Sequence, residues 1–303
     1  MRDIYLNPFT DFGFKKLFGE EPHKDLLISF LNTLLPVKHQ IDDLHYSKNE
    51  YQGSTALDRK AIFDLHCIST SGERFIVELQ KAKQNYFKDR SVYYSTFPIQ
   101  EQAERGDWDY RLAAVYTVGI LDFVFDEDAK AQNHEVVHHV QLKNQHGQVF
   151  YDKLTFIYLT LPYFDKNLTQ LGSLQDKWLY IFKHLHELYT VPAELQEGIF
   201  QKLFAIAQIA KLNPQERQAY EDSLKYYRDL KNVTDTAWLE GKLEGRLEGL
   251  EEGLQKGEQA GIEKAAIAMY QQGLAVDFIA DTLNLASETV IDIVRNTQTQ
   301  TRF

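Results

Sequence analysis

The stretch Lys60 to Lys81, KAIFDLHCISTSGERFIVELQK, narrows what this chain can fold into more than any other. Two arms rich in Ile, Phe and Val, Ala61 to Ile68 and Arg74 to Gln80, flank the turn-forming Thr70, Ser71 and Gly72, the pattern of a β-hairpin. Side chains alternate faces along a strand, so Lys60, Ile62, Asp64 and His66 share one face, as do Arg74, Ile76, Glu78 and Gln80. The turn decides whether those faces coincide. A three-residue loop with Gly72 in the left-handed region pairs Ser69 with Glu73 and sets Asp64 opposite Glu78. A two-residue Ser71-Gly72 turn sets Asp64 opposite Leu79 and parts the acids.

Facing carboxylates repel, so a pair such as Asp64 and Glu78 rarely sits across a ladder without a cation, and a divalent ion is the economical answer. An all-oxygen donor set suits Mg²⁺ or Mn²⁺, ions that use few protein carboxylates and keep positions for water and phosphate. That is chemistry for phosphodiester hydrolysis: the ion polarises the phosphoryl oxygen, lowers the pKa of a bound water and stabilises the leaving oxygen. Gln80 shares the face of Glu78 and can orient the water through its amide. The bland alternative for an Asp and a Glu on strands is the solvated face of a half-exposed sheet.

The order Asp64, turn, Glu78-Leu79-Gln80 resembles the D…ExQ variant of the PD-(D/E)xK nuclease signature, in which the acids hold the metal and the third position is more often Lys. The opening NPFTDFGFKKLFGEE, the segment FKDRSVYY from Phe87 to Tyr94, and the Gly/Glu repeat near the C-terminus resemble the Rpn family of recombination-promoting nucleases and related transposases, over about Asn7 to Ile293. The resemblance implies an α/β fold: a PD-(D/E)xK restriction-endonuclease-like core of order αβββαβ, with a mixed sheet flanked by helices and an all-helical C-terminal region. It also implies a divalent-metal-dependent DNA endonuclease that promotes recombination. Asp64 and Glu78 would then ligate Mg²⁺ or Mn²⁺, and Gln80 would position water. Lys81 or Lys60 would supply the positive charge lost with the missing Lys, and Lys60 and Arg90 would contact substrate phosphate. Gln80 in the usual Lys position leaves the general base open.

Taken in order, Asn7 to Gly19 is aromatic and basic. His23 to Leu35 reads as an amphipathic helix ended by Pro36, the helix before the sheet in the implied core. Asp11 is either a helix cap or an additional active-site acid. Ile41 to Tyr46 reads as a first strand. Tyr86 to Arg105 reads as a helix that Pro98 should kink or interrupt, with Arg90, Tyr93 and Tyr94 near one face. Arg90 there either contacts a phosphate or pairs with Glu101 or Asp89. Tyr110 to Leu121 reads as a central strand buried on both faces, and Val136 to Leu142 and Leu154 to Leu161 as two further strands. His134, His138 and His139 have no accompanying carboxylates or cysteines at ligand spacing and read as surface strand histidines.

Beyond Leu168 only helices are expected: Leu174 to Tyr189, Ala193 to Leu212 and Pro214 to Asn232, an appendage or second layer against the sheet. Gly then recurs every fourth residue from Gly241 to Gly261 beside a row of leucines. Each Gly costs a helix about 1 kcal/mol relative to Ala, so the segment is either a close-packing helix that pairs two copies or a flexible acidic linker. The ending GLAVDFIADTLNLASETVIDIV resembles a helix-turn-helix with its turn at Asn284 to Ala286, or is a packing motif of the same outline. The expected organisation is a nuclease-like domain over 1–166, a helical appendage over 167–234, and a Gly/Glu-repeat helix with a helix-turn-helix-like tail over 235–303.

At 303 residues and 44% hydrophobic, the chain can bury a substantial core. Cys67, the one cysteine, excludes an internal disulfide, fits a reducing compartment, and by parity lies on the strand face opposite Asp64 as a buried thiol. Without an apolar leader or a run of membrane-spanning length, a cytoplasmic protein with no membrane association is expected. The net charge of −11 runs against a DNA partner. Yet Lys81 to Arg90 holds four bases against one acid, while Asp235 to Glu263 holds eight acids against three bases. The positive patch therefore adjoins the acids of the hairpin. Rival readings are a catalytically inactive nucleic-acid-binding or oligomerising protein with the same fold, and a defence nuclease restrained by the acidic tail until triggered.

Overall fold

The computed structural model describes residues 3–51, 61–103 and 106–300, so the roles expected of Lys60 lie outside the described residues. Two compact units divide the chain, Met1–Val233 and Thr234–Phe303.

In the first unit, helices α1 (Asp11–Phe18) and α2 (Lys24–Asn32) precede strands β1 (Leu44–Tyr46), β2 (Glu50–Tyr51), β3 (Ala61–Ile62), β4 (Leu65–Ser69) and β5 (Arg74–Gln80). Helix α3 (Phe87–Gln100), strand β6 (Val115–Leu121), helix α4 (Asp126–Ala131) and strands β7 (Val137–Lys143) and β8 (Val149–Thr160) follow, then helices α5 (Leu174–His184) and α6 (Gly198–Ala207). Helix α7 (Pro214–Gln271) leads into the second unit, which ends with α8 (Val276–Leu283) and α9 (Ser287–Gln300).

The sheet has six strands in the order β1-β4-β5-β6-β8-β7, and β2 and β3 form a separate ribbon. β5, β6 and β8 run parallel, while β1, β4 and β7 pair antiparallel with their neighbours. This is the mixed sheet flanked by helices that the α/β reading anticipates. β6, VYTVGIL, is buried at every position and lies inside the sheet, as its lack of polar residues requires.

Strand alternation sorts the core into two layers. Phe75, Val77 and Leu79 of β5 join Phe14, Phe18, Phe30, Trp178, Phe182 and Phe200 from α1, α2, α5 and α6 on one face. On the other, Ile76 meets Phe63, Tyr94 and Phe97, and Phe87 of α3 meets Leu121, Phe156 and Tyr158. The segment expected as a helical appendage thus shares the main core as a second layer. Cys67 belongs to that core, and burial pushes its thiol up to about 12, which removes it as a nucleophile at neutral pH.

Several expected elements differ in extent. The first arm of the hairpin is not one strand from Ala61 to Ile68: it breaks at Phe63 and Asp64, and β3 turns away to pair with β2. Pro98 stays within the last turn of α3, which stops at Gln100. The helix beginning at Pro214 does not end at Asn232 but continues through the Gly repeat to Gln271, against the flexible-linker alternative. In the second unit Ala266, Ile279, Ala280 and Val290 form a small core joining the end of α7 to α8 and α9, and Asn284 makes the left-handed turn between the last two helices.

The N-terminal motif is a tight structure of its own. The Asn7 carbonyl accepts from Thr10 N–H (3.1 Å) and Oγ1 (2.7 Å), Asn7 N–H donates to the Tyr220 hydroxyl (3.0 Å), and Thr10 Oγ1 caps α1 by accepting from Gly13 N–H (3.0 Å). Thr10, not Asp11, is therefore the cap. A Cβ at Gly13 would overlap the Asn7 carbonyl oxygen and stand 2.7 Å from Thr10 Oγ1. Gly13→Ala is accordingly expected to destabilise the protein by about 1–3 kcal/mol, read as a lower urea midpoint at unchanged slope; an unshifted midpoint would contradict this account of the motif.

Candidate active site

The hairpin turn is the three-residue form. Gly72 has φ +95°, and Ser69 N–H donates to the Glu73 carbonyl at 2.9 Å. The register runs from Ile68 opposite Arg74 to Leu65 opposite Val77. One step further along, Asp64 faces Glu78.

At that step side chains replace the ladder. Leu79 N–H donates to Asp64 Oδ2 at 2.6 Å, and Asp64 N–H donates to Glu78 Oε1 at 3.3 Å. Asn49 holds the bend from the other side: its carbonyl accepts from Phe63 N–H (2.8 Å), and its Nδ2 donates to the Asp64 carbonyl (3.1 Å). Each acid thus satisfies a backbone donor on the opposite strand and keeps its second oxygen, Asp64 Oδ1 or Glu78 Oε2, without a hydrogen bond or ion pair among the described residues.

Burial, and then the charge of Asp64, push Glu78 up to about 8; the Arg90 guanidinium and the Asp64 N–H oppose the rise. Burial also raises Asp64, against the Leu79 N–H and the charges of Lys15 and Lys81, while Asp11 adds to the rise. Asp11, paired with Lys15 at 2.9 Å at the start of α1, is an electrostatic neighbour of Asp64.

Gln80 shares the face of Glu78, but its amide is engaged at both ends. Nε2 donates to the Ala82 carbonyl at 2.8 Å, and Oε1 accepts from Arg90 Nη2. These contacts tie Gln80 to Arg90 and to the chain just beyond β5. Arg90 also donates to Gln84 Oε1 and lies over the rings of Phe87 (5.6 Å) and Tyr94 (5.8 Å). Its expected alternative partner Glu101 pairs instead with Arg74 at 3.3 Å. Lys81, one residue on, lies 5.6 Å from the centroid of the Tyr226 ring; burial lowers its pKa, and the charges of Asp11 and Asp64 resist that lowering.

The donor set fits a hard divalent cation. Two half-buried carboxylates, at raised pKa and with no ion-pair partner among the described residues, are what such an ion would relieve. Among the described residues no group of three or more His, Cys, Asp or Glu could hold a metal, so the protein's share would be two ligands, with water or substrate completing the shell.

The sequence model of the PD-(D/E)XK nuclease family transposases matches residues 8–237. The chain belongs to this family. The match spans α1, the whole sheet and the first part of α7, so the acids and Arg90 all fall inside it. No curated protein and no solved structure matches the chain significantly. No helix among the described residues is long and apolar enough to cross a membrane.

The raised pKa of Glu78 fixes a sign for stability. Folded Glu78 keeps a proton that the unfolded chain releases near 4.5, so between there and about 8 the unfolded state binds fewer protons and stability falls as pH rises. In EDTA, Glu78→Gln should gain in melting temperature over the wild type progressively from about pH 5 to about pH 8. A difference that stays flat with pH would contradict the half-buried, metal-free carboxylate pair.

Proposed function

We propose that this protein is a divalent-metal-dependent DNA endonuclease that hydrolyses phosphodiester bonds and promotes DNA recombination. The observation that carries the reading is the half-buried Asp64–Glu78 pair, aligned across the hairpin in a chain of the PD-(D/E)XK family. Asp64 and Glu78 would hold Mg²⁺ or Mn²⁺. When bound, the ion supplies Lewis-acid polarisation of the phosphoryl oxygen and lowers the pKa of a water.

The chain's own side chains do the rest. Arg90 presents its guanidinium to a phosphate beside the pair, and Gln80 fixes the direction of that fork through its Oε1. Lys81 supplies positive charge on the Asp11 and Asp64 side, in place of the lysine absent at position 80. Burial lowers its pKa, while the charges of Asp11 and Asp64 oppose that lowering. The free, buried Cys67 fits action on DNA in the cytoplasm.

Plasmid nicking tests the assignment. With Mg²⁺ or Mn²⁺ the wild type should nick, and Asp64→Asn and Glu78→Gln should each lose activity on the order of 10²-fold while still melting cooperatively and no lower than the wild type. Calorimetric Mn²⁺ binding should disappear in the same variants. Wild-type protein that binds neither Mn²⁺ nor DNA would overturn the reading, whereas DNA binding without cleavage would favour the inactive-nuclease alternative.

The long helix supports pairing of two copies. Leu239, Leu243, Leu247, Leu250 and Leu254 are each about 60% exposed, and a Cβ at any of Gly241 to Gly261 would meet open space. A helix that carries six glycines without packing is poorly stabilised by propensity alone. Sedimentation should show a dimer that Leu247→Glu with Leu250→Glu dissociates; a monomer at every concentration would remove the proposal.

A further inference from the structure

The basic patch beside the carboxylate pair is not bare. Lys83 pairs with Asp126, and Lys88 pairs with Glu127 at 3.2 Å, both acids standing in the first turn of α4. Among the described residues these are the only ion pairs of the two lysines. The lysine-bearing segment also connects to the site: Gln84 lies next to Lys83 and accepts from Arg90, which in turn bonds Gln80.

Three features mark this surface as one that meets a polyanion. All four paired side chains are 45–73% exposed, so the pairs are weak, screened by salt and easily exchanged. Lys88 is independently seated 4.7 Å over the Phe125 ring, so it keeps its place when Glu127 leaves. Between the two lysines, Tyr86 stands 80% exposed with φ +63°, a left-handed conformation rare for an aromatic residue and one that turns the chain sharply into α3. Its ring projects among the cations at the edge of a cleft of about 290 Å³ shared with Phe123 and Asp126, where the tyrosine hydroxyl can donate to a phosphate oxygen.

We infer that α4 is an internal phosphate mimic: in the free protein Asp126 and Glu127 occupy Lys83 and Lys88, and a DNA duplex binds by replacing those two carboxylates with two backbone phosphates. This rests on the DNA reading above and adds to it a track for the duplex and a cost that filters weak binders. The two swaps conserve charge. Each lysine ends with one anionic partner, and the released carboxylates face solvent with Asp128 and Lys130 beside them on α4.

The test is fluorescence anisotropy of the full-length protein on a labelled duplex of arbitrary sequence, in EDTA and again in Ca²⁺, over a range of salt. Asp126→Asn with Glu127→Gln should bind about five- to tenfold tighter at about 100 mM salt, with a steeper dependence of log K on log salt by up to about 2, because the freed lysines neutralise phosphates without returning carboxylates to solvent. In a Lys83→Gln, Lys88→Gln background the same acid substitutions should change affinity less than twofold. Equal tightening in both backgrounds would mean a general charge effect and overturn the inference, as would no tightening at all. No binding by any version, wild type included, would sink the DNA reading and this inference with it.

Discussion

The carboxylates of Asp64 and Glu78 complete the hairpin where main-chain carbonyls would otherwise stand, and the geometry of the site follows from that substitution. Each acid is tied by one oxygen to a backbone N–H across the hairpin, so its direction is set by main-chain geometry and not by a free rotamer. A buried N–H left unpaired would be costly, on the order of 1–3 kcal/mol, so the two bonds hold the acids together despite their repulsion. Burial raises the pKa of both groups, and the charge of Asp64 adds to the rise of Glu78. The proposed ion is the partner that a pair so arranged lacks.

The surrounding layers turn this local device into a site. Helices α1, α2, α5 and α6 cover the face of β5 that carries Phe75, Val77 and Leu79, and α3 covers the face of Ile76, Glu78 and Gln80. α3 brings Arg90 to Gln80, and α1 brings Asp11 and Lys15 within electrostatic range of Asp64. Cations and acids thus approach the pair from two layers while the sheet stays rigid between them. The aromatic packing of Phe18, Phe30, Trp178 and Phe182 ties α1 to α2 and α5 within the helical layer on that face.

The parts legible in the sequence were those governed by local rules. The hairpin and the two turns open to it were legible, and the three-residue form that sets Asp64 against Glu78 is the one the structure takes; an almost wholly apolar run marked β6 as central. The break at Phe63 and Asp64 was not legible, because it depends on Asn49, fifteen residues before Asp64 in the chain, and on side chains taking over ladder bonds. Gln80 invited a catalytic reading by its position after Glu78, but its partners come from α3 and from Ala82, which only tertiary packing reveals. α4 passed unread between two strands because six residues give too little periodicity to register. The length of α7 was misjudged for a different reason: its glycines argue against a helix one residue at a time, while the structure shows them helical throughout.

The most direct measurement is an anomalous difference map from a crystal soaked in Mn²⁺. The account predicts a single strong peak about 2.0–2.4 Å from both Asp64 Oδ1 and Glu78 Oε2. A map with no peak there, or with the ion bound at some other cluster while these two acids remain bonded only to backbone N–H groups, would contradict it.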